Sequence, residues 1–412
     1  MTLMRESPDA GVVDLTRWPA MAPPRPAPLR SATARMLLRR VAGRTGVRVV
    51  LADGSAFGPT GGPTMLVTRP QSFFARLGRD GKVGFGEAFM AGDWESPDLV
   101  GVLTQLARNV ANLVPRQLQR LRRWYDDSFP ADEDNDHAGS RRNIARHYDL
   151  SNDLFAAFLD ESMTYSSALF DDGVEPLHTA QGRKIERLLD AAGVGSGSRV
   201  LEIGTGWGEL AMRAAGRGAH VTTLTLSTEQ ASLAQRRISD AGLADRVDIK
   251  IQDYRDVHGH FDAVLSVEMI EAVGEQWWPT YFRMLDQCLA PGGRVGLQAI
   301  LLPHDRMMAS KSSWTWIHKY IFPGGLIPSV EAIESTLASY TSLRIVDRLH
   351  FGASYAETLK RWREQFERNS ERIRDLGFDE TFRRMWRFYL AYCEGGFRAR
   401  YLDVAQFVMT RT

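Results

Sequence analysis

The sequence predicts an α/β fold: a Rossmann-like, largely parallel sheet preceded by a smaller N-terminal α+β domain. Three observations carry that expectation. Beyond residue 140, strand-like and helix-like segments alternate; a glycine-rich turn, "EIGTGWG", joins the first of those strands to its helix; and an acidic, aperiodic stretch, "DDSFPADEDNDHAGS", sets this region apart from what precedes it. At 412 residues the chain is too long for one core at about 150 residues per domain.

Taken in order, residues 1–30 contain the proline-rich "MAPPRPAPLR" and read as a disordered, extended lead-in. Residues 31–125 form the small domain: a basic amphipathic helix from Ser31, short strands in "VRVVLAD" and "TMLVTR", and a helix in "DLVGVLTQLARNVANLV" with Leu103, Leu106, Val110 and Leu113 on one face. Residues 126–140 are the linker, since a polar run without periodicity buries too little apolar surface to fold. Residues 141–412 hold the sheet, with strands in "RVLEIG", "HVTTLTL", "VDIKIQD", "FDAVLSV" and "GRVGLQAIL" separated by helical runs. Apolar strands bounded by glycine and joined through helices imply parallel pairing covered on both faces.

The formal net charge of +1 argues against a nucleic-acid binder. The charge is uneven, however: residues 1–50 carry nine Arg against three acids, and "RQLQRLRRW" adds a second basic cluster. Both suit either a solvated helix face or an anionic membrane surface. Two cysteines, Cys288 and Cys393, supply no disulfide framework and no metal site. No segment approaches roughly 18 apolar residues and the start has no apolar leader, so the expectation is a cytoplasmic protein that meets the inner membrane surface peripherally.

In "VLEIGTGWGEL", Gly204, Gly206 and Gly208 sit where the backbone turns from strand to helix and a ligand approaches closely. Glu202 precedes them at the strand end, and no phosphate-binding Lys follows. Thr225, Ser227 and Gln230 after the second strand supply hydrogen bonds, while Asp253 and Tyr254 after the third suit an adenine amino group and a stacking face. An adenosine-sized cleft without a phosphate anchor points to S-adenosylmethionine, hence a class I S-adenosylmethionine methyltransferase fold. Then "SVEMIEAVG" places Glu268 and Glu271 among apolar residues just past a strand, where carboxylates are costly unless they have partners or chemistry to perform.

Several stretches together resemble the cyclopropane-fatty-acid synthase family of lipid enzymes: "RRNIARHYDLSNDLFAAFLDESMTYSSALF", "VLEIGTGWGEL", "SVEMIEAVG", "KYIFPGGLIPS", "YAETLKRW" and "YLAYCEGGFRARYLDV". Within it, "EIGTGWGEL" and "EMIEAVG" look most like the tuberculostearic acid methyltransferase branch, which makes 10-methyl-branched stearate. Thr205 and Ala272 stand where the cyclopropane pattern has Cys and His. The resemblance implies an unsaturated phospholipid acyl chain as substrate, a carbocation after methyl transfer, and a base to take one proton. It implies that Glu271, Tyr355, Ser167, Gln298 and Ile300 surround that base, a bound bicarbonate in cyclopropane synthases, with direct action by Glu271 as the rival. For the cofactor it implies Tyr148, Tyr165 and Ser166.

Of the two acids, Glu271 is expected to face the lipid and Glu268 the cofactor side or a helix N-terminus. The cation can close to a cyclopropane or, after a hydride shift, lose a proton to give 10-methylene stearate. The second outcome needs a separate flavin- or NAD(P)H-dependent reductase to reach the methyl branch, because the chain has no dinucleotide fingerprint. A non-catalytic lipid-binding scaffold is the alternative from another class. The small domain is expected either to dock on lipid or to mediate homodimer contacts.

Overall fold

The computed structural model describes residues 13–110, 151–311 and 313–412. The linker at 126–140, the second basic cluster and Tyr148 lie outside them.

The N-terminal region contains α1 (Pro28–Thr45), β1 (Arg48–Leu51), β2 (Ala56–Phe57), β3 (Thr64–Val67), α2 (Pro70–Met90), β4 (Trp94–Glu95) and α3 (Leu99–Arg108). Its strands form a sheet in the order β2-β1-β3-β4. Alternation along β1 and β3 turns Val49, Leu51, Met65 and Val67 inward. α1 starts with Pro28 at its first position, where a missing N–H costs nothing, and stops at Gly46, whose φ of 77° a side chain would disfavour.

The lead-in departs from expectation. α1 begins at Pro28 rather than Ser31, and residues 13–27 are tied down instead of loose. The cause is Arg76, only 1 % exposed, whose Nε pairs with Asp93 at 3.0 Å. Its remaining donors need acceptors, and the extended chain offers the carbonyls of Ala20, Met21 and Ala22. Trp18 Nε1 then donates to Asp379, 2.8 Å away in the C-terminal region.

The larger region runs α4 (Asn152–Ala156), α5 (Leu177–Ala191), β5 (Arg199–Ile203), α6 (Glu209–Gly216), β6 (His220–Thr225), α7 (Thr228–Asp240), β7 (Val247–Ile251), β8 (Phe261–Val267), α8 (Ile270–Val273), α9 (Trp278–Gln287), β9 (Leu289–Leu301), α10 (His304–Ser310), α11 (Trp316–Tyr320), α12 (Val330–Tyr340), β10 (Leu343–His350), α13 (Gly352–Arg368), α14 (Ser370–Asp375), α15 (Glu380–Arg398) and β11 (Asp403–Arg411). The sheet order is β10-β11-β9-β8-β5-β6-β7. β5 to β9 are parallel, as the alternation predicts. β11 is not: it runs antiparallel to β9 and β10. The helices between β10 and β11 return the chain to the end it left, where Phe351 N donates to Val404 O, so β11 can only run back. The strand order reverses between β5 and β8, and that switch point opens the cleft at their carboxyl ends.

The two regions share one core. α2 lies against α15 and α11, and Phe85, Phe89, Trp94, Trp316 and Phe388 pack edge to face or tilted across the boundary. Gly86 is required there, because a Cβ would fall 2.4 Å from Trp316 Cδ1. Next to it Glu87, 1 % exposed, accepts from Lys319 Nζ at 2.6 Å and Tyr320 Oη at 2.8 Å. Among the described residues both cysteines are free thiols, and no helix is long and apolar enough to cross a membrane.

The buried Arg76 generates a test. Arg76→Met leaves Asp93 with Ser72 and Arg69 but removes its buried cation and strands three carbonyls, so it is expected to cost about 3 kcal/mol in denaturant unfolding. A loss below about 1 kcal/mol would show that the lead-in is not held this way.

Candidate active site

β5 delivers the chain into the glycine turn, where the N–H groups of Gly204 and Thr205 both donate to Leu224 O at 2.9 Å. Gly204 and Gly208 have φ of 96° and 91°, and a Cβ on Gly204 would lie 2.8 Å from Met269 Sδ. The turn therefore touches the "SVEMIEAVG" stretch directly. At Gly206 (φ 51°) a Cβ would meet nothing within 4 Å, so this peptide borders open space that a ligand can enter. Trp207 is turned inward and donates to Asn152 at 2.7 Å.

Beneath the turn, Glu202 accepts from Thr223 Oγ1 at 2.6 Å, and that hydroxyl meets Thr205 Oγ1 at 2.8 Å. Burial pushes the Glu202 carboxyl up to about 8. Thr205 is thus part of the underside of the loop.

The other expected cofactor residues fall around the same cleft. Ser227 caps α7 by accepting from Gln230 N, while Thr225 Oγ1 donates to Gln230 Oε1 at 3.0 Å, so the three form one buried network at the tip of β6. Asp253 accepts from Arg255 N, Nε and Nη2 at 3.0, 2.8 and 2.7 Å, and the adjacent Tyr254 ring meets Tyr281 edge-on at 5.4 Å. Tyr165 pairs its hydroxyl with Tyr389 Oη at 2.8 Å, its ring against Phe155 and Trp362. Ser166 Oγ accepts from Lys184 Nζ at 2.6 Å. The open Gly206 peptide, the buried Glu202 beneath it and the polar tips of β6 and β7 fit an adenosine-bearing sulfonium, with no lysine among the described residues placed for a phosphate.

The two acids have different surroundings. Glu268 has a φ of 53°, a left-handed conformation that costs a side-chain-bearing residue roughly 1–2 kcal/mol. The turn aims its carboxylate into a ring of donors: Ser167 N (2.9 Å) and Gln298 Nε2 (2.8 Å) on Oε1, Tyr355 Oη (2.6 Å) on Oε2. Ser167, Gln298 and Tyr355 therefore converge on Glu268, not on Glu271. It is Glu271 that occupies the first turn of α8, with Oε1 accepting from Ile300 N and its main-chain carbonyl from Leu326 N. Its Oε2 is buried without a hydrogen-bond partner among the described residues.

Ser167 and Ile300 contribute backbone N–H groups rather than side chains. The Ser167 hydroxyl turns back to Ala168 O at 2.9 Å, so hydroxyl-for-thiol exchange is not its part in the site. Burial raises the carboxyls of both acids. For Glu271, to about 8, the negative charge of Glu268 adds to burial; for Glu268, the Tyr355 hydroxyl and the Lys184 cation oppose it.

Several contributors escape the sequence reading. Lys184 sits on the buried face of α5, 1 % exposed, and burial lowers its ammonium to about 8 against the pull of Glu268 and Glu202. The only sequence signal is a lysine at the spacing of Gln181, Ile185 and Leu188, otherwise a core stripe. Thr358 Oγ1 and Ser354 Oγ accept from the N–H groups of Ala168 and Phe170, fixing the loop that carries Ser167. Phe158, Trp362 and Trp386 pack in one aromatic cluster with Tyr165.

A parallel sheet with its switch-point cleft, a glycine turn over a buried acid, and no phosphate anchor define a class I S-adenosylmethionine-dependent methyltransferase. A family model for mycolic acid cyclopropane synthetase matches residues 135–407, and the chain belongs to that family. It is 51% identical, over 100% of its length and 99% of the relative's, to the tuberculostearic acid methyltransferase UfaA1 of Mycobacterium tuberculosis. It is 35% identical to the cyclopropane-fatty-acyl-phospholipid synthase of Escherichia coli K12, covering 85% of this chain and 88% of that one. Among solved structures it resembles mycolic acid cyclopropane synthase CmaA1 complexed with SAH and CTAB, with TM-score 0.61 and 28% identity over 65% of this chain and 97% of that chain. The protein is an S-adenosylmethionine-dependent lipid methyltransferase of the cyclopropane synthase family.

The raised acids make stability depend on pH. Glu202 and Glu271 keep in the folded state a proton that the unfolded chain releases near 4.5, so their contribution is complete below that pH and lost as pH rises toward about 8. Lys184 acts above that window, between about 8 and 10.5. Glu271→Gln is expected to flatten the fall in Tm between about pH 5 and 7.5; an unchanged slope would mean that Glu271 ionises normally.

Proposed function

We propose that the enzyme methylates C10 of an oleoyl chain in a phospholipid and releases 10-methylene stearoyl lipid, the precursor of 10-methyl stearate. The observation that carries this reading is the Glu268 carboxylate, held by three donors beside the glycine turn. S-adenosylmethionine supplies the methyl group and leaves as S-adenosylhomocysteine. The alkene electron pair forms the new C10–CH3 bond and leaves a cation at C9; a hydride moves from C10 to C9, and a methyl proton departs as the exocyclic C=C forms.

The chain's own groups answer each need. Glu268 takes the departing proton, because it is the carboxylate that Tyr355, Ser167 and Gln298 keep in acceptor form. The same three donors are those the family resemblance assigns to bicarbonate, and in this chain a side-chain carboxylate already uses them; we propose that Glu268 replaces the bound ion. Glu271, carrying a proton at neutral pH, leaves a single negative charge facing the cation and avoids like-charge repulsion. Tyr165, Trp362 and Phe158 exclude water and offer π-faces to the cation. The methylene lipid then passes to a separate flavin- or NAD(P)H-dependent reductase.

The small domain would bring the enzyme to lipid at the cytoplasmic membrane surface. On the outer side of α1, Leu29 is 84 % and Met36 62 % exposed, flanked by exposed Arg30, Arg39, Arg40 and Arg44. Apolar residues among arginines suit the boundary between acyl chains and anionic headgroups.

Glu268→Gln is expected to lower kcat about 100-fold or more, the usual contribution of a general base, with S-adenosylmethionine binding intact by calorimetry. Mass spectrometry of oleoyl phospholipid turned over by the enzyme alone should give the methylene product, and a cyclopropane product refutes the assignment. Binding to anionic vesicles is expected to weaken as salt rises; salt-independent binding removes the electrostatic role of α1.

A further inference from the structure

Behind Glu268 a line of hydrogen bonds crosses two strands and reaches the surface. Gln298 on β9 and Gln406 on β11 face each other in register, and both are 0 % exposed. Gln298 Nε2 donates to Glu268 Oε1 at 2.8 Å and to Ser167 O at 3.4 Å; its Oε1 accepts from Gln406 Nε2 at 3.0 Å. Gln406 Nε2 donates also to Lys184 O at 3.0 Å, and its Oε1 accepts from Arg187 Nη1 at 2.8 Å. Arg187, one turn beyond Lys184 on α5, anchors its other arm on the exposed Asp347 at 2.7 Å.

The sense of this line is dictated from its outer end. A guanidinium only donates, so Gln406 must present its carbonyl oxygen to Arg187 and its NH2 to Gln298. Gln298 must then present its own carbonyl to Gln406 and its NH2 to Glu268. Every amide hydrogen and oxygen in the pair is used, and reversing either amide would set oxygen against oxygen and NH2 against NH2 in a buried site.

We propose that Gln406 and Arg187 are positioning residues that fix Gln298 as a donor and so hold Glu268 as the unprotonated acceptor the reaction needs. They touch no reacting atom and act only through Gln298. The inference rests on the reading of Glu268 as the base. The other titratable groups facing Glu268 are Tyr355 from α13, Lys184 from α5 and Glu271 from α8, and none is altered by substitutions at 187 or 406.

The discriminating variant is Gln406→Glu. A carboxylate at 406 still accepts from Arg187 but has no donor for Gln298, which must reverse and turn its oxygen on Glu268. A proton on Glu268 then becomes favourable. The acid limb of the kcat–pH profile is expected to move up by about one unit, a tenfold loss at a fixed pH on that limb with partial recovery at alkaline pH. Arg187→Lys, which keeps a donor-only cation, is expected to retain the wild-type limb, and Arg187→Met to shift it in the same direction by less.

A folded Gln406→Glu enzyme with an unmoved limb overturns the proposal, as does a uniform loss of kcat at all pH values. Should that variant not fold, an unmoved limb in Arg187→Met overturns it equally, and a shifted one supports it. Failure of the underlying reading has a different signature: Glu268→Gln that turns over normally shows that another group takes the proton.

Discussion

One buried carboxylate, Glu268, draws a loop, a strand and a helix together at the end of the cleft. An isolated ionised carboxylate in a protein interior is so costly that it takes up a proton instead. Burial raises the Glu268 carboxyl, and hydrogen bonds from three places oppose that rise: the loop at Ser167, the strand at Gln298 and the helix at Tyr355. Each donor is in turn fixed, the loop by Thr358 and Ser354, the strand by its partner β11, the helix by burial of the Tyr355 ring against Phe397 at 4.5 Å. The left-handed backbone at Glu268 persists because this ring of donors over-determines where the carboxylate must be.

Glu271 meets the opposite fate three residues on. One oxygen finds the Ile300 N–H and the other finds no partner among the described residues; burial, with the charge of Glu268 beside it, pushes its carboxyl up to about 8. Two neighbouring acids are thereby given different surroundings: one is ringed by three donors, and the other receives one hydrogen bond and faces a like charge.

The parts legible in the sequence were those written in local patterns. Alternating strands and helices gave the parallel sheet, and the glycines at 204, 206 and 208 located the switch-point turn, because left-handed backbone there demands glycine. The Glu268–Glu271 pair was recognisable as unusual, but the different partners of the two acids were not. A spacing of three suggests a common helical face, whereas the chain enters α8 only at Ile270 and Glu268 sits in a turn outside it. Lys184 and Gln406 were hidden for a related reason: each lies on a core-facing position, and its partners come from more than 200 residues away in the case of Gln406 and Lys184 O. The lead-in was misread because proline-rich composition describes a chain without partners, and Arg76 supplied them. The antiparallel β11 follows from where α15 returns the chain, a tertiary matter with no local signal.

The contact between α2 and α11 ties the small domain to the segment that reaches Glu271. α11 belongs to the segment after β9 that turns back over Glu271 through the Leu326 N–H, yet its own footing is Glu87 and the notch at Gly86. α1, the helix with the arginine-rich outer side, packs on that same α2. Packing therefore runs without a break from the arginine-rich helix, through an α2 kinked at Gly81, to the segment whose Leu326 N–H holds the Glu271 carbonyl.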